Sequence, residues 1–264
     1  MSNITITHAP SGLVHTTVVR SERVTPHMMR VTLGGGELDR FEHRGFDQWF
    51  RLAVPVSEES RLDNLPDRFG LAGYLRFVTL PKGTRPVIRN YTVRAFRPES
   101  LELDVDFVVH GTEGVAAPWA ASVQPGAEVA FIDQGCGWAP VPSDWLLLAA
   151  DESGLPAVAG ILRDLPRDAV GHAFVELFDD ADRQLSEAPE GVQVHWLVRP
   201  EGAAPGAAVL PAVRELAFPA GSVYAFAVGE SALATGVRRH LVSARGVPKG
   251  NVTFCGYWKR QKAN

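Results

Sequence analysis

The segment from residue 89 to residue 94 carries the side chains best suited to binding a ligand. It reads Arg89-Asn90-Tyr91-Thr92-Val93-Arg94. An arginine binds phosphate through two parallel hydrogen bonds, while a tyrosine ring offers a flat surface and a threonine a hydroxyl. In a strand, Arg89 and Tyr91 project to one face and can serve one ligand. These types suit a ligand with a phosphate and a planar ring, such as a flavin dinucleotide, but an ordinary barrel strand has the same pattern.

The elements that position this segment read as short strands. Up to about residue 142 the chain alternates in strand fashion and is broken by turn residues. The predicted strands cover 13–20, 23–33, 49–54, 87–94, 101–109 and 128–132. Residues 57–70 read as an exposed loop, and 114–123 as a short helix. Several strands at short spacing predict an antiparallel β-barrel.

The pattern changes after residue 142 to strands that alternate with helices. Residues 145–150 form a continuous apolar run, as buried parallel strands do. The remaining predicted strands are 173–177, 192–198, 223–228 and 252–255, and the helices are 156–165, 207–216 and 231–244. We therefore predict a two-domain β + α/β protein, with an N-terminal antiparallel β-barrel in residues 1–142 and a parallel-sheet α/β domain in residues 143–264.

Composition narrows the class of protein. The net charge is −4 and the pI is near 6.1, so no overall basic field attracts nucleic acid or acidic lipid. The two cysteines lie far apart and have no paired-ligand spacing. The sequence has no secretory start and no apolar run of membrane-spanning length. We expect a cytoplasmic protein that neither inserts into membranes nor binds nucleic acid.

Five further motifs follow in order along the chain. They are Asp104-Val105-Asp106-Phe107-Val108-Val109-His110-Gly111, Gly114-Val115-Ala116-Ala117-Pro118-Trp119, the run LLLAADESGLP at 146–156, Val228-Gly229-Glu230, and Gly256-Tyr257-Trp258-Lys259-Arg260. Together with residues 89–94 they resemble the siderophore-interacting protein family, FAD-binding ferric-siderophore reductases of the ferredoxin-reductase-like superfamily. The resemblance covers nearly the whole chain.

The resemblance implies FAD on the barrel domain. The pyrophosphate would meet the start of the helix at residue 114, where free N–H groups and the helix dipole favour anions. The implied cofactor-binding residues are Arg89, Tyr91, Thr92, Asp106, Val108, His110, Gly114, Ala116, Ala117, Trp119, Asp151 and Ser153. The second domain resembles a nicotinamide-binding domain, so NADH or NADPH is the expected electron donor, with ferredoxin as the alternative. It has no G-x-G-x-x-G.

The expected substrate is a ferric siderophore, whose iron is released by reduction from Fe(III) to Fe(II). An anionic chelate needs basic residues, and we assign Arg51, Lys259 and Arg260 to chelate binding. Because the cofactor carries out the redox chemistry, we expect no catalytic side chain. We also expect no resident metal, since His172, His195 and the other histidines lack metal-ligand spacing.

Some loops depart from the family pattern. Residues 133–137 read Asp-Gln-Gly-Cys-Gly where relatives have Gly-Pro, and Ala117 stands where a serine is common. Val115 follows Gly114 where proline is usual, and Ser153-Gly154 replaces Thr-Ala. These changes leave two alternatives open: a flavin reductase or biosynthetic flavoprotein oxidoreductase on the same fold, and a non-catalytic siderophore-binding protein.

Overall fold

The chain folds into two compact units. The structure is a computed structural model that describes residues 2–6, 11–57, 59–63, 65–66, 71–79, 81, 83–109, 114–185 and 187–260, with backbone only at 71, 72, 74 and 76. One unit is Ile6–Cys136, and the other combines Gly137–Asn264 with Met1–Thr5. The predicted boundary after residue 142 falls a few residues beyond this division and stays a prediction.

In the part of the chain that the structure describes, the first unit has a sheet of seven antiparallel strands and two α-helices. The strands are β1 (Leu13–Thr25), β2 (Met28–Gly34), β3 (Trp49–Val54), β4 (Val87–Thr92), β5 (Ala95–Arg97), β6 (Glu102–Val108) and β7 (Glu128–Gly135), and the helices are α1 (Leu71–Thr79) and α2 (Ala116–Ser122). The strand order is β4-β3-β7-β1-β2-β6-β5. β1 and β2 form a hairpin that turns at Pro26-His27, so the predicted break near residue 21 was wrong.

The sheet curls into a barrel because its two edge strands are neighbours in sequence. Six strand spacings separate β4 from β5, which is about 29 Å in a flat sheet. Only Val93 and Arg94 join these strands, and the chain from Thr92 to Ala95 spans at most about 11 Å. The edges must therefore approach each other, as the predicted barrel requires.

Both faces of the barrel sheet bury apolar side chains. The interior contains Val14, Val31, Phe50, Leu52, Leu103, Phe107 and Phe131, among others. A second cluster on the outer face contains Leu13, Ala53, Leu62, Leu65, Ala130 and Ile132. Leu62 and Leu65 are 8% and 4% exposed, so the prediction of an exposed loop over 57–70 was wrong at these positions. They cover the outward-facing side chains of β3 and β7.

The second unit is a five-stranded parallel sheet with helices. Its strands are β8 (Trp145–Ala150), β9 (Val170–Leu177), β10 (Gly191–Val198), β11 (Val223–Glu230) and β12 (Val252–Trp258), and its helices are α3 (Leu155–Asp164), α4 (Val209–Glu215) and α5 (Ser231–Arg239). The order is β10-β9-β8-β11-β12, with every pair parallel. The central strands β8 and β11 are almost wholly buried, which explains their continuous apolar sequence. The predicted fold class is confirmed.

The helix ends of the second unit follow local sequence rules. Pro156 lies in the first turn of α3, where its missing N–H costs no hydrogen bond. The carboxylate of Glu230 caps α5 by accepting a hydrogen bond from the Ala232 N–H. Arg238 and Arg239 lie in the last turn of α5, where positive charge complements the helix dipole.

A short N-terminal segment lies along the outer edge of β12. Ser2 forms a bridge with Cys255, and the Asn3 N–H donates to the Phe254 carbonyl at 3.3 Å. The Asn3 side chain accepts from the Phe254 N–H at 2.9 Å and donates to the Val252 carbonyl at 2.8 Å. Residues far apart in sequence thus complete one sheet edge.

Within the described ranges, no helix combines the length and the apolar character needed to cross a membrane. The expected cytoplasmic location stays a prediction.

Candidate cofactor site

Strand β4 places Arg89 and Tyr91 on the interior side of the barrel sheet. In the β3–β4 register Arg89 lies opposite Leu52 and Tyr91 opposite Phe50, and both partners belong to the interior core. The Tyr91 ring packs on Phe107 with centroids 4.2 Å apart and planes at 43°. Arg89 is exposed, and its Nη1 donates to the Ile88 carbonyl at 2.9 Å. The two side chains share a face, as strand alternation predicts.

The environment of Tyr91 keeps its phenol protonated. Burial raises the pKa of this group, and the nearby charge of Arg89 only partly opposes the rise. The hydroxyl is therefore a hydrogen-bond donor at neutral pH. Thr92 follows on the opposite face of β4 and is 7% exposed.

The outer edge of β6 is the second wall of the candidate site. β5 pairs only with residues 102–104 of β6, and the Arg94 N–H donates to the Asp104 carbonyl at 2.9 Å. Beyond Asp104, no described strand pairs with β6 on that side. We call the gap between β4 and residues 105–108 of β6 the barrel seam. Its walls offer backbone hydrogen-bonding groups at Asp106 and Val108, which suit the polar edge of a flavin. The rings of Tyr91 and Phe107 lie beside them and form a surface that suits the flat flavin ring; we call this surface the aromatic floor.

The carboxylate of Asp106 faces away from the aromatic floor. It accepts hydrogen bonds from Arg30 Nε at 2.7 Å and Nη2 at 2.8 Å, and Arg94 Nε lies 3.5 Å from it. The hydrogen bonds to Asp106 raise the pKa of Arg30 most, and burial opposes this rise only in part. The side chain of Asp106 thus holds two arginines on the outer face of β6. Its proposed contact with the cofactor is through the backbone.

Helix α2 closes one end of the aromatic floor. Trp119 packs on Phe107 with ring centroids 5.6 Å apart, so three rings from β4, β6 and α2 form a row. Gly114 precedes the helix with φ +88°, a conformation that suits glycine. The first intrahelical bond runs from the Trp119 N–H to the Val115 carbonyl at 3.1 Å. Ala116 and Ala117 lie in the first turn and are half-buried. His110 lies outside the described residues.

Asp151 joins three strands at the carboxyl end of the parallel sheet. Its Oδ1 accepts from the Ser153 N–H at 2.9 Å and from the Ser153 hydroxyl at 2.5 Å. Its Oδ2 accepts from the Glu230 N–H at 2.7 Å and from the Trp258 indole at 3.1 Å. Burial raises the pKa of Asp151, and these hydrogen bonds lower it in part. These hydrogen bonds fix the turn that follows β8, and the contact of Asp151 with a cofactor stays a prediction.

A buried ion-pair network of Arg199, Glu152 and Glu176 lies beside it, and sequence reasoning did not predict it. Arg199, just after β10, bonds Glu152 through both Nη atoms at 3.1 and 2.8 Å and Glu176 at 2.8 Å. Glu176 also accepts backbone N–H groups at the start of α4, including that of Ala208 at 2.8 Å. Arg199 could have been found from its position just after a predicted strand, because ligands of parallel sheets bind at the carboxyl ends of the strands.

The basic residues assigned to chelate binding have different surroundings. Arg51 lies opposite Asn90 and so faces away from the Phe50 side of β3; burial lowers the pKa of its guanidinium. Lys259 and Arg260 follow β12 and are exposed. The Arg260 N–H donates to the Glu230 carboxylate at 3.1 Å, which fixes the backbone there.

The barrel with its seam, followed by a parallel α/β unit, defines an FAD-dependent oxidoreductase of the ferredoxin-reductase-like fold. Family models identify the two parts: residues 17–137 match the siderophore-interacting FAD-binding domain, and residues 143–261 match siderophore-interacting protein. The chain belongs to the siderophore-interacting protein family.

Individual relatives agree with this assignment. The chain is 35% identical to ferric vibriobactin reductase ViuB of Vibrio cholerae, with 92% of this chain and 88% of that protein covered. It is 30% identical to NADPH-dependent ferric-chelate reductase of Escherichia coli, over 92% of this chain and 91% of that one. The fold is also similar to the crystal structure of a siderophore utilization protein from T. fusca, with a TM-score of 0.79. The two sequences are 34% identical, and 98% of this chain and 97% of that chain are covered.

Proposed function

We propose that this protein is a ferric-siderophore reductase, which releases iron by reducing an Fe(III) chelate to Fe(II). The barrel seam supports the proposal most, because it combines an aromatic floor, an unpaired strand edge and an exposed arginine within one family-matched domain. Two relatives whose names describe ferric reductases are similar over nearly the whole chain.

The residues of the seam have distinct proposed roles. Arg89 would bind a phosphate of FAD, and Tyr91 would present its ring to the flavin. Thr92 and the backbone of β6 would hydrogen-bond the polar edge of the ring, while Ala116 and Ala117 would receive the pyrophosphate. FAD would supply the redox chemistry when bound, since a flavin can accept two electrons and release them one at a time, each to one Fe(III) ion. No side chain needs to act as a general acid or nucleophile, and the iron would be a substrate.

The electron donor is proposed to bind the parallel-sheet unit. In such sheets ligands bind beyond the carboxyl ends of the strands, which here carry Asp151, Ser153 and Arg199. NADH or NADPH is the proposed donor, and the name of the Escherichia coli relative favours a nicotinamide. Ferredoxin is the alternative donor.

Chelate binding is assigned to basic side chains. Lys259 and Arg260 are exposed and offer positive charge to an anionic chelate. Arg51 is half-buried and stays a weaker candidate. We propose that the double variant Lys259→Ala/Arg260→Ala raises KM for the chelate without loss of bound flavin, because charge at the binding site would be removed while the barrel is untouched.

The decisive experiment combines a spectrum with an assay. The purified protein, supplied with FAD, should be yellow, and anaerobic NADH or NADPH should bleach it. Addition of ferric chelates should then restore the colour and form Fe(II), trapped by a ferrous-specific dye. A yellow protein that neither donor bleaches points to ferredoxin.

Two outcomes would contradict the proposal and favour an alternative. Brisk reduction of free flavin or an organic acceptor, with none of any ferric chelate, favours a flavin reductase or biosynthetic flavoprotein. Residues 133–137, which differ from the family pattern, motivate this alternative. Asp133 itself is held in the barrel by hydrogen bonds from the Gln48 side chain at 3.0 Å and from the Gly135 N–H at 2.9 Å. A colourless protein that cannot be loaded with FAD favours a non-catalytic siderophore-binding protein.

A further inference from the structure

Two histidines that are distant in sequence meet on one face of the parallel sheet. His172 lies on β9 and His195 on the neighbouring edge strand β10. His172 Nδ1 is 3.1 Å from His195 Nε2, which is within hydrogen-bonding distance. Neither residue has a part in the proposed flavin chemistry.

The separation of these two nitrogens suits a bound metal ion. A metal with N bonds of 2.0–2.1 Å holds two nitrogens about 2.9 Å apart at 90° and about 3.3 Å apart at a tetrahedral angle. The observed 3.1 Å lies between these values. Rotation of the two rings about their side-chain bonds would turn both lone pairs toward one point. Each neutral ring would keep one proton, on its other nitrogen.

The surroundings prepare both rings for this role. The His195 ring stacks on Phe174 with centroids 4.4 Å apart and planes at 7°, and Trp145 packs edge-on to His172 at 6.2 Å. Both histidines are only half-buried, so a metal ion in solution can reach them.

Few other protein ligands are at hand. Among the described residues, no set of three or more His, Cys, Asp and Glu side chains forms a metal site. Gln193 is exposed, pairs in register with His172 and lies two residues before His195, on the same face of the sheet. Its amide oxygen and water are candidates for the further ligands.

We propose that His172 and His195 form a binding site for one borderline divalent metal ion, of the class of Cu²⁺, Ni²⁺ and Zn²⁺. Two imidazoles prefer these ions to Mn²⁺ or Mg²⁺, and affinity should rise from Mn²⁺ through Ni²⁺ to Cu²⁺. The site is independent of FAD and of the proposed reductase activity.

Calorimetric titration of the untagged, chelator-treated protein tests the proposal. We expect one equivalent of Cu²⁺ or Ni²⁺ to bind, with much weaker binding of Mn²⁺. His172→Gln and His195→Gln should each weaken Ni²⁺ binding at least about tenfold. The matched control His240→Gln removes another half-buried histidine of the same unit and should leave the affinity unchanged. Equal affinity in all variants, or no binding by the wild-type protein, would overturn the proposal.

A spectroscopic measurement guards against variants that fail to fold. The wild-type protein with one equivalent of Cu²⁺ should show nitrogen couplings from two imidazoles in its electron paramagnetic resonance spectrum. A spectrum with oxygen ligands alone would reject the site regardless of how the variants behave.

Discussion

Tyr91 and Phe107 touch across strands that are not hydrogen-bonded neighbours. Their ring centroids are 4.2 Å apart, although β4 is at one edge of the strand order and β6 is next to the other edge. The contact therefore crosses the barrel seam on the interior side of the sheet, and it holds the two rings of the aromatic floor against each other. A planar ligand in the seam would meet a surface that is formed before it binds.

Tyr91→Ala should weaken FAD binding and lower stability together. The variant loses both the proposed ring surface and the packing on Phe107, and an aromatic pair contributes about 0.5–1.5 kcal/mol beyond its buried area. Tyr91→Phe keeps the ring and should retain FAD with nearly wild-type affinity. Fluorescence titration with FAD and urea unfolding measure the two effects. If Tyr91→Ala binds FAD as tightly as Tyr91→Phe, the ring has no role in the site.

Arg89→Ala should reduce FAD affinity about tenfold to hundredfold, because a charged hydrogen bond to phosphate is lost. Arg89→Lys keeps the positive charge but loses the paired N–H donors of the guanidinium. Its affinity for FAD should lie between those of Arg89→Ala and the wild type. Stability should not change, since Arg89 is exposed. Arg61→Ala, at an exposed arginine of the same unit that pairs with Asp63, is the matched control. An unchanged dissociation constant for FAD in Arg89→Ala would remove this residue from the site.

Asp106→Asn should destabilise the protein by about 2–4 kcal/mol. The substitution leaves Arg30 and Arg94 beside a neutral amide, which carries no charge and cannot accept both hydrogen bonds from Arg30. Asp63→Asn breaks an exposed pair with Arg61 and should cause no measurable loss. Urea unfolding of both variants checks the difference. Equal effects of the two substitutions would show that the Asp106 pairs do not stabilise the barrel.

Asp104 should contribute to stability at neutral pH and lose that contribution in acid. Burial raises the pKa of Asp104, but hydrogen bonds from Arg97 and Thr32 outweigh it, and the net pKa is lowered. The unfolded chain then binds the proton more readily, so the contribution is complete above the unfolded pKa of about 3.9 and is lost as the pH falls through the lower folded value.

Asp104→Asn should therefore cost about 1–2 kcal/mol at pH 6.5, a figure reduced by the partial exposure of Arg97. The difference from the wild type should shrink at pH 3. Urea unfolding at both pH values measures it. A difference that is the same at the two pH values would mean that the charge of Asp104 does not stabilise the fold.

Much of the architecture could be predicted because it depends on local patterns. The apolar run of β8 and the alternation of β3 and β6 each reflect which faces are buried. The β1–β2 turn was misplaced because the apolar alternation continues through Pro26-His27. The burial of Leu62 and Leu65 could not be read, since the polar residues around them are typical of an exposed loop.

The candidate site was predictable only in part, because some of its contacts depend on local sequence patterns and others on the order of strands in the sheet. Arg89 and Tyr91 share a face through alternation alone, which a sequence shows. The ion partners of Arg199 lie 47 and 23 residues away, so their pairing depends on strand order. His172 and His195 likewise meet only because β9 and β10 are neighbours in the sheet. Spacing rules for metal ligands do not detect such pairs.

The bonds between Asn3 and β12 also bear on how the protein should be handled. Strand edges with free N–H and C=O groups can pair with other molecules and lead to aggregation. Here the Asn3 backbone and side chain occupy the groups that β12 offers at Val252 and Phe254. An expression tag that pulls residues 2–3 away from the sheet would uncover this edge. Purification with a C-terminal tag should therefore give a more soluble protein at high concentration.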